Sequence, residues 1–304
     1  PTRELALQID RTVQPIARSV GLFTTQVVGG VPQARQVGAL KKGVDIVIGT
    51  PGRIEDLIEQ RHLDLRSIEI AVLDEADHMA ELGFLEPMER LLSQLPKDGQ
   101  RLLFSATLDS AVATLVDRFL PDAAAHEVAE QAGAVMAEHH VLVIEQGDKL
   151  PVLGTLLGSS ERSLVFARTR AFAEQLADEL EDEGVRTVSL HGDLNQSRRT
   201  RNLERFSSGK VQALIATDVA ARGIHVDDIE FVVHADAAED YKTYLHRSGR
   251  TGRAGATGTV VTLITARRRR RFTELLERAE IQATFTVLQP GADPLAAIGA
   301  AAVE

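Results

Sequence analysis

The sequence predicts an α/β fold built as two parallel-sheet domains in tandem. Three observations predict it. Short apolar runs alternate with helix-like stretches along nearly the whole chain, the pattern of βαβ units around a parallel sheet. Polar motifs follow the apolar runs, at the strand ends where an open parallel sheet places its ligands. Near the middle, Ala129–Glu138 is rich in Ala, Gly and Glu and has no period, as a linker between two such series would be.

The first series gives candidate strands Phe23–Val28, Asp45–Ile48, Ile68–Leu73, Arg101–Phe104 and His126–Val128. The second gives His139–Ile144, Ser163–Phe166, Arg186–Leu190, Val211–Ala216, Phe231–His234 and Gly258–Ile264. Most of these runs are short, bounded by turn residues and rich in Val, Ile, Leu and Phe, as strands buried on both faces are. Helical periodicity marks Gly52–Arg61, Leu85–Gln94, Arg170–Glu183 and Gln196–Ser207. The expected division is a first domain over 1–130, a linker over 131–138, a second domain over 139–288 and a frayed tail over 289–304, where Gly, Pro and Ala mix.

Composition narrows the function classes. With no cysteine, disulfides and thiolate metal sites are excluded, and a cytoplasmic setting fits. No long apolar run predicts a membrane span, and no charged-then-apolar leader is visible. The formal net charge of -10 argues by itself against a basic nucleic-acid binder. Local fields matter more than the sum, and the arginines cluster in short segments. No Trp and only two Tyr leave little for stacking bases, so any RNA grip would rest on phosphates and sugars.

Asp74-Glu75-Ala76-Asp77 directly follows the run Ile68–Leu73, which places its acids at a strand's carboxyl end. One carboxylate there can hold Mg²⁺ through water, and a second can deprotonate an attacking water. Alone, the tetrapeptide reads equally well as a solvated acidic turn. It does not stand alone. Pro1-Thr2-Arg3-Glu4-Leu5-Ala6, Gly29-Gly30, Thr50-Pro51-Gly52-Arg53 and Ser105-Ala106-Thr107 surround it in order. The second half adds Phe166-Ala167-Arg168-Thr169, His191-Gly192-Asp193 with Gln196 and Arg199, Thr217-Asp218 running to Arg222-Gly223, and His246-Arg247-Ser248-Gly249-Arg250-Thr251-Gly252-Arg253. Nearly all fall at strand ends or helix starts, where phosphate groups bind.

On these motifs, from Pro1 to about Ile281, the chain resembles the DEAD-box family of superfamily 2 RNA helicases. The resemblance implies two RecA-like parallel-sheet domains in tandem. It implies ATP and Mg²⁺ as cofactors, RNA as a sequence-independent partner, and RNA-stimulated ATP hydrolysis coupled to local duplex unwinding or ribonucleoprotein remodelling.

It also implies roles residue by residue. Asp74 would hold the Mg²⁺ through water and Glu75 would be the base. Asp77 would join the nucleotide-site residues and link to the coupling pair Ser105 and Thr107, which otherwise read as ordinary hydroxyl caps. Arg250 and Arg253 would be fingers reaching the γ-phosphate across the cleft, and loop-borne arginines suit that task. His225 and His246 would face the nucleotide, and His246 with Arg247 would bridge the domains. RNA contacts would come from Arg3, Gly29, Gly30, Thr50 and Arg53, then from Thr169, Gln196, Arg199, Thr217 and Gly223. Glycines let backbone approach phosphates, and Arg forks suit phosphate oxygens, while Gly29 and Gly30 read equally as a tight turn.

Departures from the family pattern are informative. No Gly-x-x-x-x-Gly-Lys loop occurs; Gly209-Lys210 is followed by Val211 and lacks the upstream glycine. The family places that loop before Pro1-Thr2-Arg3, so the chain is expected to be amino-terminally truncated and its first sheet incomplete. His225 stands where the family has Asp, and Ser248 where Ile is common. Arg267–Arg271 reads as a solvated helix face or as extra basic contact for RNA. Three functional classes are therefore set against one another. The first is an ATP-driven RNA helicase. The second is a catalytically inactive fragment acting only as an RNA-binding module. The third is a DNA-directed motor, which the motif set disfavours.

Overall fold

A computed structural model describes residues 1–127, 137–221, 229–252 and 257–299. The chain divides into two compact units, 1–127 and 128–304. Among the described residues no helix is long and apolar enough to cross a membrane.

The first unit runs α1 (Arg3–Ser19), β1 (Thr24–Val27), α2 (Gln33–Lys42), β2 (Ile46–Gly49), α3 (Pro51–Glu59), β3 (Ile70–Leu73), α4 (Ala76–Glu81), α5 (Leu85–Ser93), β4 (Gln100–Leu103) and α6 (Ser110–Phe119). Local chemistry sets several of these boundaries. The Thr2 hydroxyl accepts from Leu5 N–H at 3.3 Å and starts α1, and Asp109 does the same for α6 with two amides. Pro51 opens α3 at the one helical position where a missing N–H costs nothing.

The strands of this unit form two separate parallel pairs, β1–β2 and β3–β4, with no ladder joining the pairs among the described residues. The split leaves apolar surface open. Ile70 and Val72 alternate along β3 and are 57% and 56% exposed, while Leu73 turns inward to pack with Met79, Met88, Leu92 and Leu115. An incomplete first sheet is therefore what the described residues show. The expected strand at His126–Val128 does not form over its described part, where His126 and Glu127 are irregular; Val128 lies outside the described residues.

The second unit runs β5 (Ala137–Val143), α7 (Lys149–Gly158), β6 (Ser163–Phe166), α8 (Arg170–Asp182), β7 (Thr187–Leu190), α9 (Gln196–Ser207), β8 (Ala213–Ala216), α10 (Asp218–Ala221), β9 (Phe231–His234), α11 (Tyr241–Ser248), β10 (Gly258–Ile264), α12 (Arg269–Arg278), β11 (Thr284–Val287) and α13 (Pro294–Ala297). Its seven strands make one parallel sheet in the order β11-β5-β10-β9-β6-β8-β7. Both faces are covered. Val141, Leu164, Phe166, Leu214, Val232 and Val260 enter one core cluster, and their chain neighbours Leu142, Val165, Ile215, Val233 and Val261 enter the other. Successive strand residues point to opposite faces, so unbroken apolar runs are what a sheet sandwiched between helix layers demands.

Two expectations need correction here. The stretch from Gln289 is not a frayed tail through its described part: it carries α13, and Leu288, Leu295 and Ile298 are buried beside α7 and the sheet. An Asp293 cap on Leu295 N–H, at 2.9 Å, and Pro294 at the first turn start that helix, and Pro294 and Leu295 turn inward while Ala296 stays exposed. The expected linker also ends early, because Ala137 and Glu138 already pair with Gly258 and Thr259 in β5. Its first six residues, 131–136, lie outside the described set.

Candidate functional site

The acidic segment caps the carboxyl end of β3. Phe104 N–H donates to Leu73 O at 2.8 Å and Ala76 N–H donates to Phe104 O at 3.1 Å, which fastens the turn to the end of β4. Glu75 sits in the left-handed region, φ 54° and ψ 52°, and immediately precedes α4. A non-Gly residue held there costs on the order of 1 kcal/mol, and such strain collects at functional turns. Its side chain remains 44% exposed.

Asp77 is the hub beneath it. One carboxylate oxygen accepts from Thr107 N–H at 3.0 Å and from Thr107 Oγ1 at 3.1 Å, and the other accepts from His78 N–H at 2.9 Å. Asp77 N–H donates to Ser105 Oγ at 3.2 Å, and Ser105 Oγ donates to Thr107 O at 2.7 Å. Asp77, Ser105 and Thr107 are thus brought together in one network. Both Asp77 oxygens are engaged inside unit 1, so its placement suits coupling better than direct nucleotide contact.

Asp74 is the electrostatic outlier. Burial pushes its carboxyl above the ordinary carboxylate range, opposed by a hydrogen bond from Glu75 N–H at 3.0 Å and reinforced by the Glu75 charge. A folded-state value above the unfolded one means stability is lost as pH rises through the carboxylate range. Asp74→Asn should therefore raise the melting temperature at pH 7. The gain should vanish below about pH 3, where the unfolded-state carboxyl is protonated as well. Thermal melts across pH would show it, and a lower melting temperature at pH 7 would contradict this account.

The same observation tests the fit of a metal. No group of three or more His, Asp or Glu among the described residues could cage an ion. Mg²⁺ needs no such cage, since it keeps its waters and leans on one or two carboxylates plus phosphate oxygens. A half-buried carboxylate disfavoured by burial and a neighbouring negative charge gains from such a cation, so Asp74 fits it.

A second cluster forms at the carboxyl ends of β1 and β2. These strands are parallel, with Val27 beside Gly49, so Gly29-Gly30 and Thr50 emerge side by side. The Arg3 guanidinium lies against the glycine pair, and a Cβ on Gly30, which has φ +72°, would collide with it. Thr50 N–H donates to Val27 O at 3.0 Å. Arg53 pairs with Asp56 at 3.2 Å, yet its Nη1 is buried with no acceptor among the described residues. Arg3, Gly29, Gly30, Thr50 and Arg53 therefore share one region.

In the second unit the expected residues again follow strand ends. Thr169 caps α8, its hydroxyl accepting from Phe172 N–H at 3.2 Å, and its own proton stays free to be donated. Gln196 and Arg199 lie in the first turns of α9, which Asn195 caps at 2.9 Å. Thr217 is buried just past β8. His246 and Arg250 line a small hollow with Phe166, Asp218 and Thr243. Gly223, His225 and Arg253 lie outside the described residues.

The Arg247 side chain is turned into the second unit. It is 4% exposed and fully engaged within its own unit. Nε and Nη2 donate to the two oxygens of Asp218 at 2.6 and 2.7 Å, Nη1 donates to Asp236 O at 2.7 Å, and the guanidinium lies 5.1 Å from the Phe166 ring centre. A bidentate fork of this kind is a fixed strut. It sets the Thr217–Asp218 turn against the helix that carries His246. The arginine run is largely paired too: Arg268 and Arg271 reach Glu239 at 3.2 and 3.0 Å, Arg270 reaches Glu274 at 3.1 Å, and Arg269 lies over Phe285.

Comparison with known proteins defines the class. The profile of the DEAD/DEAH box helicase family matches residues 1–115, and that of the helicase conserved C-terminal domain matches residues 148–255. The structure resembles that of S. cerevisiae Dbp5 bound to RNA and ADP BeF3, with a TM-score of 0.81 at 30% identity over 94% of this chain and 76% of that one. The DEAD-box ATP-dependent RNA helicase CshA of Streptococcus pneumoniae is 39% identical over 253 residues, 82% of this chain and 48% of CshA. RNA helicase CrhR of Synechocystis is 37% identical over 253 residues, 82% of this chain and 51% of CrhR. The chain spans about half the length of the curated relatives it matches. It belongs to the DEAD-box helicase family.

Proposed function

We propose that the whole protein is an RNA-stimulated ATP hydrolase that uses nucleotide turnover to open short RNA duplexes or strip RNA–protein contacts. The observation that carries this reading is the Asp77 hub, which ties the acidic turn to the Ser105–Thr107 turn by direct hydrogen bonds. A change in the nucleotide felt at Asp74 and Glu75 reaches the end of β4 through one buried carboxylate. In this reading Glu75 accepts a proton from the attacking water. Arg250, together with Arg253, neutralises charge building on the phosphoryl oxygens, and His246 and His225 contact the nucleotide. Bound Mg²⁺ would supply charge neutralisation at the β- and γ-phosphate oxygens, with Asp74 as its protein anchor.

RNA is gripped by its backbone. Arg53 lies in the same region, and the Gly29-Gly30 turn lets a phosphate approach beside Arg3. In the second unit Thr169, Gln196, Arg199, Thr217 and Gly223 take the corresponding part. The similarity to Dbp5 in its RNA-bound state supports this partner. The reading is tested by ATP hydrolysis with and without single-stranded RNA, and with DNA of the same length. Stimulation by RNA alone is expected. RNA binding with no turnover would leave an RNA-binding module instead, and equal stimulation by DNA would point to a DNA-directed motor.

Gly30→Ala isolates the RNA grip. The new Cβ must sit at positive φ and displace the Arg3 guanidinium. RNA affinity should fall about tenfold, which corresponds to about 1.4 kcal/mol. Fluorescence anisotropy with a short single strand reads this directly, and unchanged affinity would remove the glycine turn from the RNA site.

A further inference from the structure

His78 belongs to none of the roles assigned so far. It lies in α4, three residues after Glu75, so both side chains share one face of the helix start. It is 3% exposed, and neither ring nitrogen has a hydrogen-bond partner among the described residues. Its Nδ1 lies 3.6 Å from Glu75 Oε2, just beyond hydrogen-bond length. A buried polar ring with nothing to bond to is costly, and such groups in native proteins call for an explanation. The carboxylate it faces belongs to a residue held in a strained backbone conformation.

We infer that His78 is a positioning residue for Glu75: its ring donates Nδ1–H to Glu75 Oε2 when nucleotide is bound, and so fixes which carboxylate oxygen faces the attacking water. Catalytic hydrogen bonds are often long without ligand and tighten in the reacting complex. The backbone strain at Glu75 sets the direction of its Cα–Cβ bond, and the ring sets the remaining torsions. Asp74, from the end of β3, is one charged group close enough to this carboxylate to interact electrostatically. Asp77 is turned away to Thr107. His78 offers Glu75 a side-chain donor from its own helix.

The inference rests on Glu75 being the base, and the test keeps the two apart. It uses the protein at its full natural length, with Mg-ATP and single-stranded RNA. His78→Leu should lower kcat roughly tenfold or more, the scale set by a misplaced reacting group, with KM for ATP changed by less than about twofold. The melting temperature of the nucleotide-free protein should hold or rise, because an unpartnered buried polar group is gone. His78→Asn places an amide nitrogen where Nδ1 stood and should recover most of the loss. His78→Gln moves the donor to the far edge of the ring's volume and should behave like Leu. A kcat within twofold of the parent in both the Leu and the Gln variants overturns the inference, as does an equal loss in all three accompanied by a drop in melting temperature. Glu75→Gln is the control. If it is inactive while the His78 variants are normal, only the positioning role fails. If it still turns over, the base assignment and this inference fail together.

Discussion

Glu75→Gln should lower RNA-stimulated ATP turnover at least about 100-fold, the lower end of what a general base contributes. Gln keeps the length, the shape and one carbonyl oxygen of Glu, so water can still be held there. It cannot take the proton. The backbone conformation at this position is left-handed and is anchored on both sides, by Leu73 and Ala76 bonding to Phe104, so the turn should survive the change. Asp77 and its bonds to Thr107 are untouched, and RNA binding in the presence of a non-hydrolysable ATP analogue should stay within about twofold of the parent. Single-turnover hydrolysis and RNA titration on the same preparation separate the two. A matching loss of binding and turnover would mean that the carboxylate holds the nucleotide in place and does not act on the water.

Arg247→Ala should be the most damaging substitution for stability. It removes a bidentate partner of Asp218, a donor to Asp236 O and a cation lying over Phe166, all at one buried point. Breaking a buried pair from one side leaves the other charge uncompensated, at about 3–5 kcal/mol. The Asp218 side chain keeps 30% exposure and can regain some water, which puts the expected loss near the lower figure. For a unit of this size that is a fall in melting temperature of roughly 6–12 °C. Lys at this position restores the charge without the fork and should recover only part of it. A melting temperature within about 1 °C of the parent would show that Asp218 is held by other means. RNA binding offers a second readout, because the strut orients the turn that carries Thr217.

Much of the fold was legible in the sequence for a simple reason. Strands buried on both faces read as unbroken apolar runs, and Ser163–Phe166, Phe231–His234 and Gly258–Ile264 have the bounds the runs predict. The acidic site was legible because Asp74 follows such a run directly. What stayed hidden depends on distant partners. β11 is a strand of alternating Thr, Phe, Thr and Val at the sheet's edge, too mixed to stand out beside the central strands. α13 is short and poor in large side chains, and only the core beside α7 shows that Leu295 and Ile298 are buried. Arg247 looked like one more arginine of a functional loop until Asp218, 29 positions earlier, was seen to accept from its Nε and Nη2. His78 carries no sequence signal at all. Its meaning comes from burial, two unbonded ring nitrogens and the carboxylate nearby.

The order of strands in the seven-stranded sheet also has a consequence for how the chain is made. β5, the first strand of its unit, lies between β10 and β11, with Ala137 beside Gly258 and His140 beside Thr284. A ribosome delivers β5 long before either neighbour exists. Until nearly the whole unit has emerged, Val141, Leu142 and Val143 have no strand to lie against, so the nascent chain must carry that apolar segment unprotected. Closure of the sheet is therefore a late event of synthesis, and the interval before it is when this polypeptide most needs the help of a chaperone.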